Sequence, residues 1–75
     1  MQAQDIIDRI TKSIPDAKIK ARDLTGTGDH WQVEIESEQF RGLSMVQQHQ
    51  LVYKSLGEWM RKDIHALALS TKTPG

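Results

Sequence analysis

Residues 17–36 read AKIKARDLTGTGDHWQVEIE and contain two alternating segments joined by a glycine-containing turn. In residues 17–23 small or apolar side chains alternate with basic ones, and in residues 31–36 apolar side chains alternate with Gln and Glu. Alternation with a period of two is typical of a strand with one buried face. Residues 25–29, Thr-Gly-Thr-Gly-Asp, predict a flexible turn. The stretch therefore predicts an antiparallel hairpin.

The charges on the two segments favour one register of this hairpin. If the turn is centred near Thr27, Lys20 lies opposite Glu34. Lys18 then lies opposite Glu36. Opposite charges that face each other across strands contribute about 0.2–1 kcal/mol each. The pairing also neutralises the only row of basic residues that the sequence places on a strand.

The two ends of the chain predict a helix and a third strand. Isoleucines at helical spacing predict a helix over residues 3–13, and Pro15 ends it, because the residue before a proline avoids the helical region. Residues 64–71, IHALALST, predict a strand that is apolar on both faces, as in a strand covered on both sides or central in its sheet. Residues 71–75 are expected to be a flexible tail. The isoleucines are Ile6, Ile7, Ile10 and Ile14.

Residues 44–62 predict the main helix. Ser44 and Gln47 have the spacing of a capping box at its start. Gly57 interrupts the helix at a cost of about 1 kcal/mol relative to alanine. The helix could therefore bend at this position or divide into two helices. The predicted apolar stripe is formed by Met45, His49, Val52, Leu56 and Met60, with Tyr53 and Trp59 beside it.

The order of elements predicts the topology. A crossover from strand through helix to strand is right-handed and makes the second and third strands parallel. We therefore predict an α+β fold with the order α-β-β-α-β, in which a three-stranded mixed sheet carries its helices on one face. Residues 1–75 are expected to form a single domain.

The composition argues against several classes of protein. The chain has no cysteine, which excludes disulfides and thiolate zinc sites and fits a reducing cytosol. Its 10 basic residues equal its 10 acidic ones, so it lacks the basic excess of a dedicated nucleic-acid binder. Its apolar runs are far shorter than the ~18 residues that span a bilayer, and its first residues lack the basic segment of a signal peptide. We predict a cytoplasmic protein that binds no membrane.

No catalytic constellation is recognisable. There is no cysteine nucleophile and no Gly-x-Ser-x-Gly elbow. Residues 26–28, Gly-Thr-Gly, lack the third glycine of a phosphate-binding loop, and a strand follows them instead of a helix. We therefore expect a protein that is not an enzyme.

The three histidines match no zinc signature. His49 is expected to be a packing residue of the main helix, whereas His30 and His65 each lie at the start of one of two parallel strands. These two imidazoles are therefore expected at one rim of the sheet, where they could share a ligand. Two histidines are too few for a zinc or iron site, and a chain without cysteine cannot supply the thiolates of an iron–sulfur cluster. Any cluster here must be completed by the thiolates of a partner.

A nucleic-acid site is the alternative. The main helix could lie in a DNA groove with glutamines reading adenine edges, although one lysine offers few phosphate contacts. Weak DNA binding is left open. The residues expected to be exposed for this purpose are Gln47, Gln48, Gln50 and Lys54.

The stretch from His30 to Pro74 resembles the BolA-like family, most closely its short bacterial IbaG/YrbA-like subgroup. The resemblance is carried by four segments: residues 30–33 (HWQV), 40–44 (FRGLS), 48–53 (QHQLVY) and 64–74 (IHALALSTKTP). It implies a class II KH-like fold without the Gly-x-x-Gly nucleic-acid loop. In residues 48–50 the family's frequent Arg-His-Arg is Gln-His-Gln, which weakens the nucleic-acid alternative.

The resemblance also implies a partner and a cofactor. Members of the family typically form heterodimers with monothiol glutaredoxins, and a [2Fe-2S] cluster is bridged by the glutaredoxin cysteine, glutathione and ligands from the BolA-like chain. The family's C-terminal histidine ligand corresponds to His65. A second ligand usually comes from the hairpin loop, which has Thr27 where some relatives have cysteine, so that His30 is the candidate here. The function implied is iron–sulfur cluster trafficking or iron and redox regulation; a homodimer of the free chain is also open.

Overall fold

A computed structural model describes residues 2–74 and shows the predicted order of elements. The main helix is split in two, as the glycine within it allowed, and a short 3-10 helix precedes it. The elements are α1 (Ala3–Ser13), β1 (Lys18–Asp23), β2 (His30–Glu36), the 3-10 helix (Glu38–Phe40), α2 (Met45–Leu56), α3 (Trp59–Lys62) and β3 (Ala66–Lys72).

The three strands form one mixed sheet in the order β1-β2-β3. β1 and β2 are antiparallel in the predicted register, with Lys20 opposite Glu34 and Lys18 opposite Glu36. β2 and β3 are parallel, as the crossover requires. The ion pair that forms at Glu36 is made with Lys72 of β3, at 3.7 Å between Nζ and Oε1.

The position of β3 corrects one prediction. Its two apolar faces suggested a strand that is central or covered on both sides, but β3 lies at an edge of the sheet and only one of its faces meets the core. The other face is exposed at Ala66, Ala68 and Ser70. These side chains are small, so their exposure to water costs little. An alternating segment of alanines and leucines is therefore compatible with an edge strand.

The core lies between the sheet and the helices on one of its faces. α1 places Ile6 and Ile10 toward the sheet on successive turns, and Ile14, which caps its C-terminus, continues the row. All three are fully buried. Phe40 on the 3-10 helix is also fully buried. The remaining core residues come from β2, α2 and the segment before β3: Trp31, Val33, Ile35, Val52, Leu56 and Ile64.

The main helix ends early because Gly57 adopts a positive φ of 57°, which an L side chain rarely adopts. The short helix α3 then follows, and the guanidinium of Arg9 lies 4.0 Å from the ring centroid of Trp59. Ser44 and Gln47 form the predicted capping box. Met45 does not belong to the buried stripe, since it is 57% exposed.

The C-terminal boundary also differs from the prediction. A flexible tail was expected from Thr71, but β3 continues through Lys72 and Thr71 is buried. The main-chain carbonyl of Lys72 accepts a hydrogen bond from the amide of Ser37 at 3.0 Å, which extends the sheet contact beyond β2. Of the predicted tail, Gly75 lies outside the described residues.

Asp16 connects the segment after α1 with the segment after β2. Its Oδ1 accepts a hydrogen bond from the hydroxyl of Ser37 at 2.7 Å, and its Oδ2 accepts one from the amide of Glu38 at 2.9 Å. The Ser37 hydroxyl and the Glu38 amide therefore hold the pKa of the Asp16 carboxyl below its usual value of 3.8. Asp16 is thus a stabilising group that depends on its charge.

We expect Asp16→Asn to lower the free energy of unfolding at neutral pH, and we expect the difference from the wild type to shrink in acid. A carboxyl whose pKa is lowered by folding stabilises the fold above its unfolded pKa, and this contribution is lost as the pH falls through the folded pKa. The pH range in which the difference shrinks therefore begins near pH 3.8 and extends below it. Urea unfolding of both chains between pH 7 and pH 2 measures the effect. Asp63→Asn, at an exposed position, is the control, and parallel curves for Asp16→Asn and the wild type would contradict the assignment.

Candidate functional site at the rim of the sheet

The turn between β1 and β2 is organised by the carboxylate of Asp23. Its Oδ1 accepts hydrogen bonds from the amides of Thr25 at 3.2 Å and Gly26 at 2.9 Å, and its Oδ2 accepts one from the amide of Gly28 at 2.9 Å. The carbonyl of Gly28 in turn accepts a hydrogen bond from the indole of Trp31 at 3.0 Å. The turn is thus tied to both strands of the hairpin and, through the buried Trp31, to the core.

The main chain of Asp29 joins this turn to the start of β3. Its carbonyl accepts hydrogen bonds from the amides of His65 at 2.7 Å and Ala66 at 3.2 Å. On the other side of the same turn, the amide of Leu24 donates to the carbonyl of His30 at 2.9 Å. The backbones at residues 30 and 65 are therefore held together at one rim of the sheet.

The two imidazoles that were predicted to lie at this rim are in fact neighbours. The ring centroids of His30 and His65 are 5.1 Å apart, and their planes are inclined by 58°. The His30 side chain is 35% exposed and His65 is exposed, so solvent or a partner can reach both rings. Imidazole nitrogens bind metals at about 2.0–2.1 Å, so a centroid separation of 5.1 Å places the two rings within reach of one common ligand.

His30 is anchored by the carboxylate of Asp29. The distance from Nδ1 of His30 to Oδ1 of Asp29 is 2.8 Å, and the hydroxyl of Thr27 donates to the same oxygen. The hydrogen bond from Thr27, followed by the one from His30, lowers the pKa of the Asp29 carboxyl. An ionised carboxylate can only accept hydrogen bonds, so Nδ1 of His30 is the donor. In neutral His30 the lone pair is then on Nε2.

The donor set at the rim is incomplete for a metal held by this chain alone. Among residues 2–74, no group of three or more His, Cys, Asp or Glu is placed to hold a metal ion. The chain also has no cysteine. Two imidazoles without a thiolate can supply part of the coordination of an iron–sulfur cluster, as histidines do in Rieske centres. The residues present therefore fit a cluster whose remaining ligands come from elsewhere.

The third histidine plays a different part. His49 lies on α2, is partly buried, and has its ring centroid 6.3 Å from that of Tyr53 in an edge-to-face arrangement. Its Nε2 is buried without a hydrogen-bond partner among the described residues. This environment agrees with the packing role that the sequence predicted.

The surface proposed for DNA is only partly available. Gln48 was expected to be exposed, but its Oε1 accepts a hydrogen bond from the hydroxyl of buried Thr71 at 2.6 Å, so this part of the prediction is wrong. Sequence periodicity gave no signal for this contact, because it joins α2 to β3. The side chain of Gln47 is exposed but completes the capping box. The members of the set that remain exposed without such a role are Gln50 and Lys54.

The fold and the rim together define a small α+β domain with two neighbouring, accessible imidazoles at one rim of its sheet. The profile of the family described as BolA-like protein matches residues 5–75. An uncharacterized protein of Rickettsia prowazekii is 38% identical over 71 residues, which is 95% of this chain and 92% of that protein. The chain therefore belongs to the BolA-like family.

Solved structures agree with this assignment. A bolA protein homologue from Coxiella burnetii superposes with a TM-score of 0.82 at 33% identity, covering 99% of this chain and 92% of that one. The BolA domain of SufE1 from Arabidopsis thaliana gives a TM-score of 0.84 at 27% identity, covering 96% and 91%. Against the mammalian relatives named BolA-like protein 1, the match spans only 36% of their length. Within residues 2–74 no helix combines the length and the apolar character needed to cross a bilayer.

Proposed function

We propose that this chain is a non-catalytic adaptor that binds a monothiol glutaredoxin and shares a [2Fe-2S] cluster with it and with glutathione. The observation that carries the proposal is the accessible pair His30 and His65, with ring centroids 5.1 Å apart. Within residues 2–74 no group of three or more His, Cys, Asp or Glu could hold a metal ion by itself. A pair of this kind can hold a cluster only when a second molecule supplies the missing ligands.

The roles of the two histidines differ. His65 is exposed just before β3, where its amide is bonded to the turn, and we assign it as the principal ligand. His30, less exposed and bonded to Asp29, is the second ligand. When bound, the cluster supplies redox chemistry and exchangeable iron and sulfide. The imidazoles are neutral ligands that can be lost on protonation, which suits a cluster that is transferred or sensed.

The proposed cellular role is iron–sulfur cluster trafficking or iron and redox regulation in the cytoplasm. The occurrence of a BolA domain in an Arabidopsis protein named SufE1 is consistent with a role related to iron–sulfur chemistry. The KH-like classification, the homodimer of the free chain and weak DNA binding stay predictions. DNA binding is the less favoured alternative, because Gln48 is used inside the fold.

The test is reconstitution with a monothiol glutaredoxin, glutathione, ferrous iron and sulfide under anaerobic conditions. We expect a 1:1 heterodimer in size-exclusion chromatography and a visible circular dichroism spectrum distinct from that of the glutaredoxin homodimer. The same mixture without the glutaredoxin is the control, and it should hold no protein-bound cluster, because this chain has no cysteine and the glutaredoxin thiolate is missing. A homodimer spectrum that is unchanged by this chain would reject the proposal. A gel shift at low salt, run in parallel, tests the DNA alternative.

A further inference from the structure

We propose that Asp29 is the positioning residue of the histidine pair, an inference that rests on the proposed function because it assigns the pair to ligand binding. Asp29 contacts both members at once. Its carboxylate accepts a hydrogen bond from Nδ1 of His30, and its carbonyl accepts the amides of His65 and Ala66. One residue thus fixes the ring of the first histidine and the backbone of the second.

The carboxylate determines which nitrogen of His30 faces a ligand. An imidazole that donates from Nδ1 to a carboxylate has its lone pair on Nε2, and it cannot rotate without losing that bond. Histidines that bind metals almost always donate their other ring N–H in this way, and the outer partner orients the ring and raises its basicity. The 2.8 Å contact provides this arrangement before any ligand arrives.

The side chain of Asp29 has no comparable role in folding the turn. The amides of the turn are bonded to Asp23, which accepts from Thr25, Gly26 and Gly28. The carboxylate of Asp29, 42% exposed, instead contacts the Thr27 hydroxyl and His30. Asp23 therefore closes the turn, whereas Asp29 orients the imidazole of His30.

Thr27 is the outer member of the same chain of hydrogen bonds. Its hydroxyl donates to the oxygen of Asp29 that also accepts from His30. This contact is a second restraint on the carboxylate, beside the one made by the ring. Hydrogen bonds therefore connect Thr27 in the turn, through Asp29, to the proposed ligand His30.

The first experiment measures the tautomer of His30 in the free chain. Long-range ¹H–¹⁵N correlation spectra at pH 8 distinguish a proton on Nδ1 from one on Nε2. We expect the Nδ1–H form to predominate in the wild type and to fall severalfold in Asp29→Ala. Asp29→Asn keeps an acceptor oxygen and should retain most of the Nδ1–H form. Asp63→Ala removes a carboxylate two residues before His65 and serves as the matched control, with His30 unchanged.

The second experiment measures the cluster in the reconstituted heterodimer with a monothiol glutaredoxin and glutathione. Removing a group that hydrogen-bonds a metal-binding side chain typically reduces metal affinity by about 10–100-fold. We therefore expect Asp29→Ala to accelerate cluster loss to a chelator by about tenfold, with Asp29→Asn between it and the wild type. Because the carbonyl of residue 29 is kept in both variants, the His65 contribution to the spectrum should persist.

The two experiments separate the possible failures. A wild-type chain whose His30 carries its proton on Nε2, or an Asp29→Ala chain with an unchanged tautomer, overturns the positioning role without any reference to a partner. If the tautomer responds as expected but the wild type forms no mixed cluster, the proposed function fails while the hydrogen-bond assignment stands. An unchanged rate of cluster loss in Asp29→Ala, beside a changed tautomer, overturns the ligand-directing part of the inference.

Discussion

His65→Ala is expected to abolish the visible spectrum that distinguishes the mixed cluster from the glutaredoxin homodimer. The substitution removes the exposed imidazole just before β3 and leaves His30 without a neighbouring donor. The imidazole that remains, His30, is only partly exposed and is bonded to Asp29, so it should not hold the cluster in place of the principal ligand. The cluster should therefore remain with the glutaredoxin. Titration of the reconstituted partner with each chain, followed by visible circular dichroism, measures the loss.

Two further variants distinguish the contribution of His65 from those of the other two histidines. His30→Ala should alter the spectrum and weaken cluster retention without eliminating the heterodimer, because His65 is the more exposed ligand. His49→Gln is the matched control, since it replaces an imidazole that packs beside Tyr53 on α2. A wild-type spectrum from His65→Ala would remove His65 from the cluster and with it the proposed site.

The hairpin could be predicted in detail from the sequence, because alternation and charge pairing act together. Alternation fixes which side chains face the core, and a slip by one residue would turn Val33 and Ile35 outward. A slip by two residues would keep the same face buried, so the register needed a second signal. The facing charges supplied it, and the structure has Lys20 opposite Glu34 and Lys18 opposite Glu36.

Other features depend on contacts between segments that are distant in the sequence. The hydroxyl of Thr71 is bonded to Gln48, 23 residues away, and the carboxylate of Asp16 is bonded to Ser37, 21 residues away. Periodicity along one helix or strand carries no information about such pairs. The edge position of β3 was missed for a related reason, since exposed alanines and partly buried leucines give the same pattern as a strand covered on both faces.

The candidate site lies between these two cases. Topology alone placed His30 and His65 at one rim. The sequence predicted each of them at the start of one of two parallel strands, and the starts of neighbouring parallel strands lie at the same end of a sheet. Their separation of 5.1 Å depends in addition on the carbonyl of Asp29, which bonds the amide of His65. The sequence therefore predicted which residues would meet, whereas the residue that holds them together required the structure.

Phe40→Ala should be the most destabilising single substitution among those considered, with a loss of about 3–5 kcal/mol in the free energy of unfolding. Phe40 is fully buried and is the largest of the fully buried side chains. Its truncation removes apolar contacts and leaves a cavity between the sheet and the helices. A small domain has about 5–15 kcal/mol of stability in total, so a large part of it would be lost.

Thermal and urea unfolding, followed by far-ultraviolet circular dichroism, measure this effect. For a domain of this size each 1 kcal/mol lowers Tm by about 4–8 °C, so the midpoint should fall by at least about 12 °C. Phe40→Leu is the matched control, because it keeps an apolar side chain at the position and should cost less than Phe40→Ala. Since Phe40 contributes no group to the rim, Phe40→Leu should still form the mixed cluster. An unfolding midpoint for Phe40→Ala equal to that of the wild type would show that the core does not depend on the aromatic ring of the 3-10 helix.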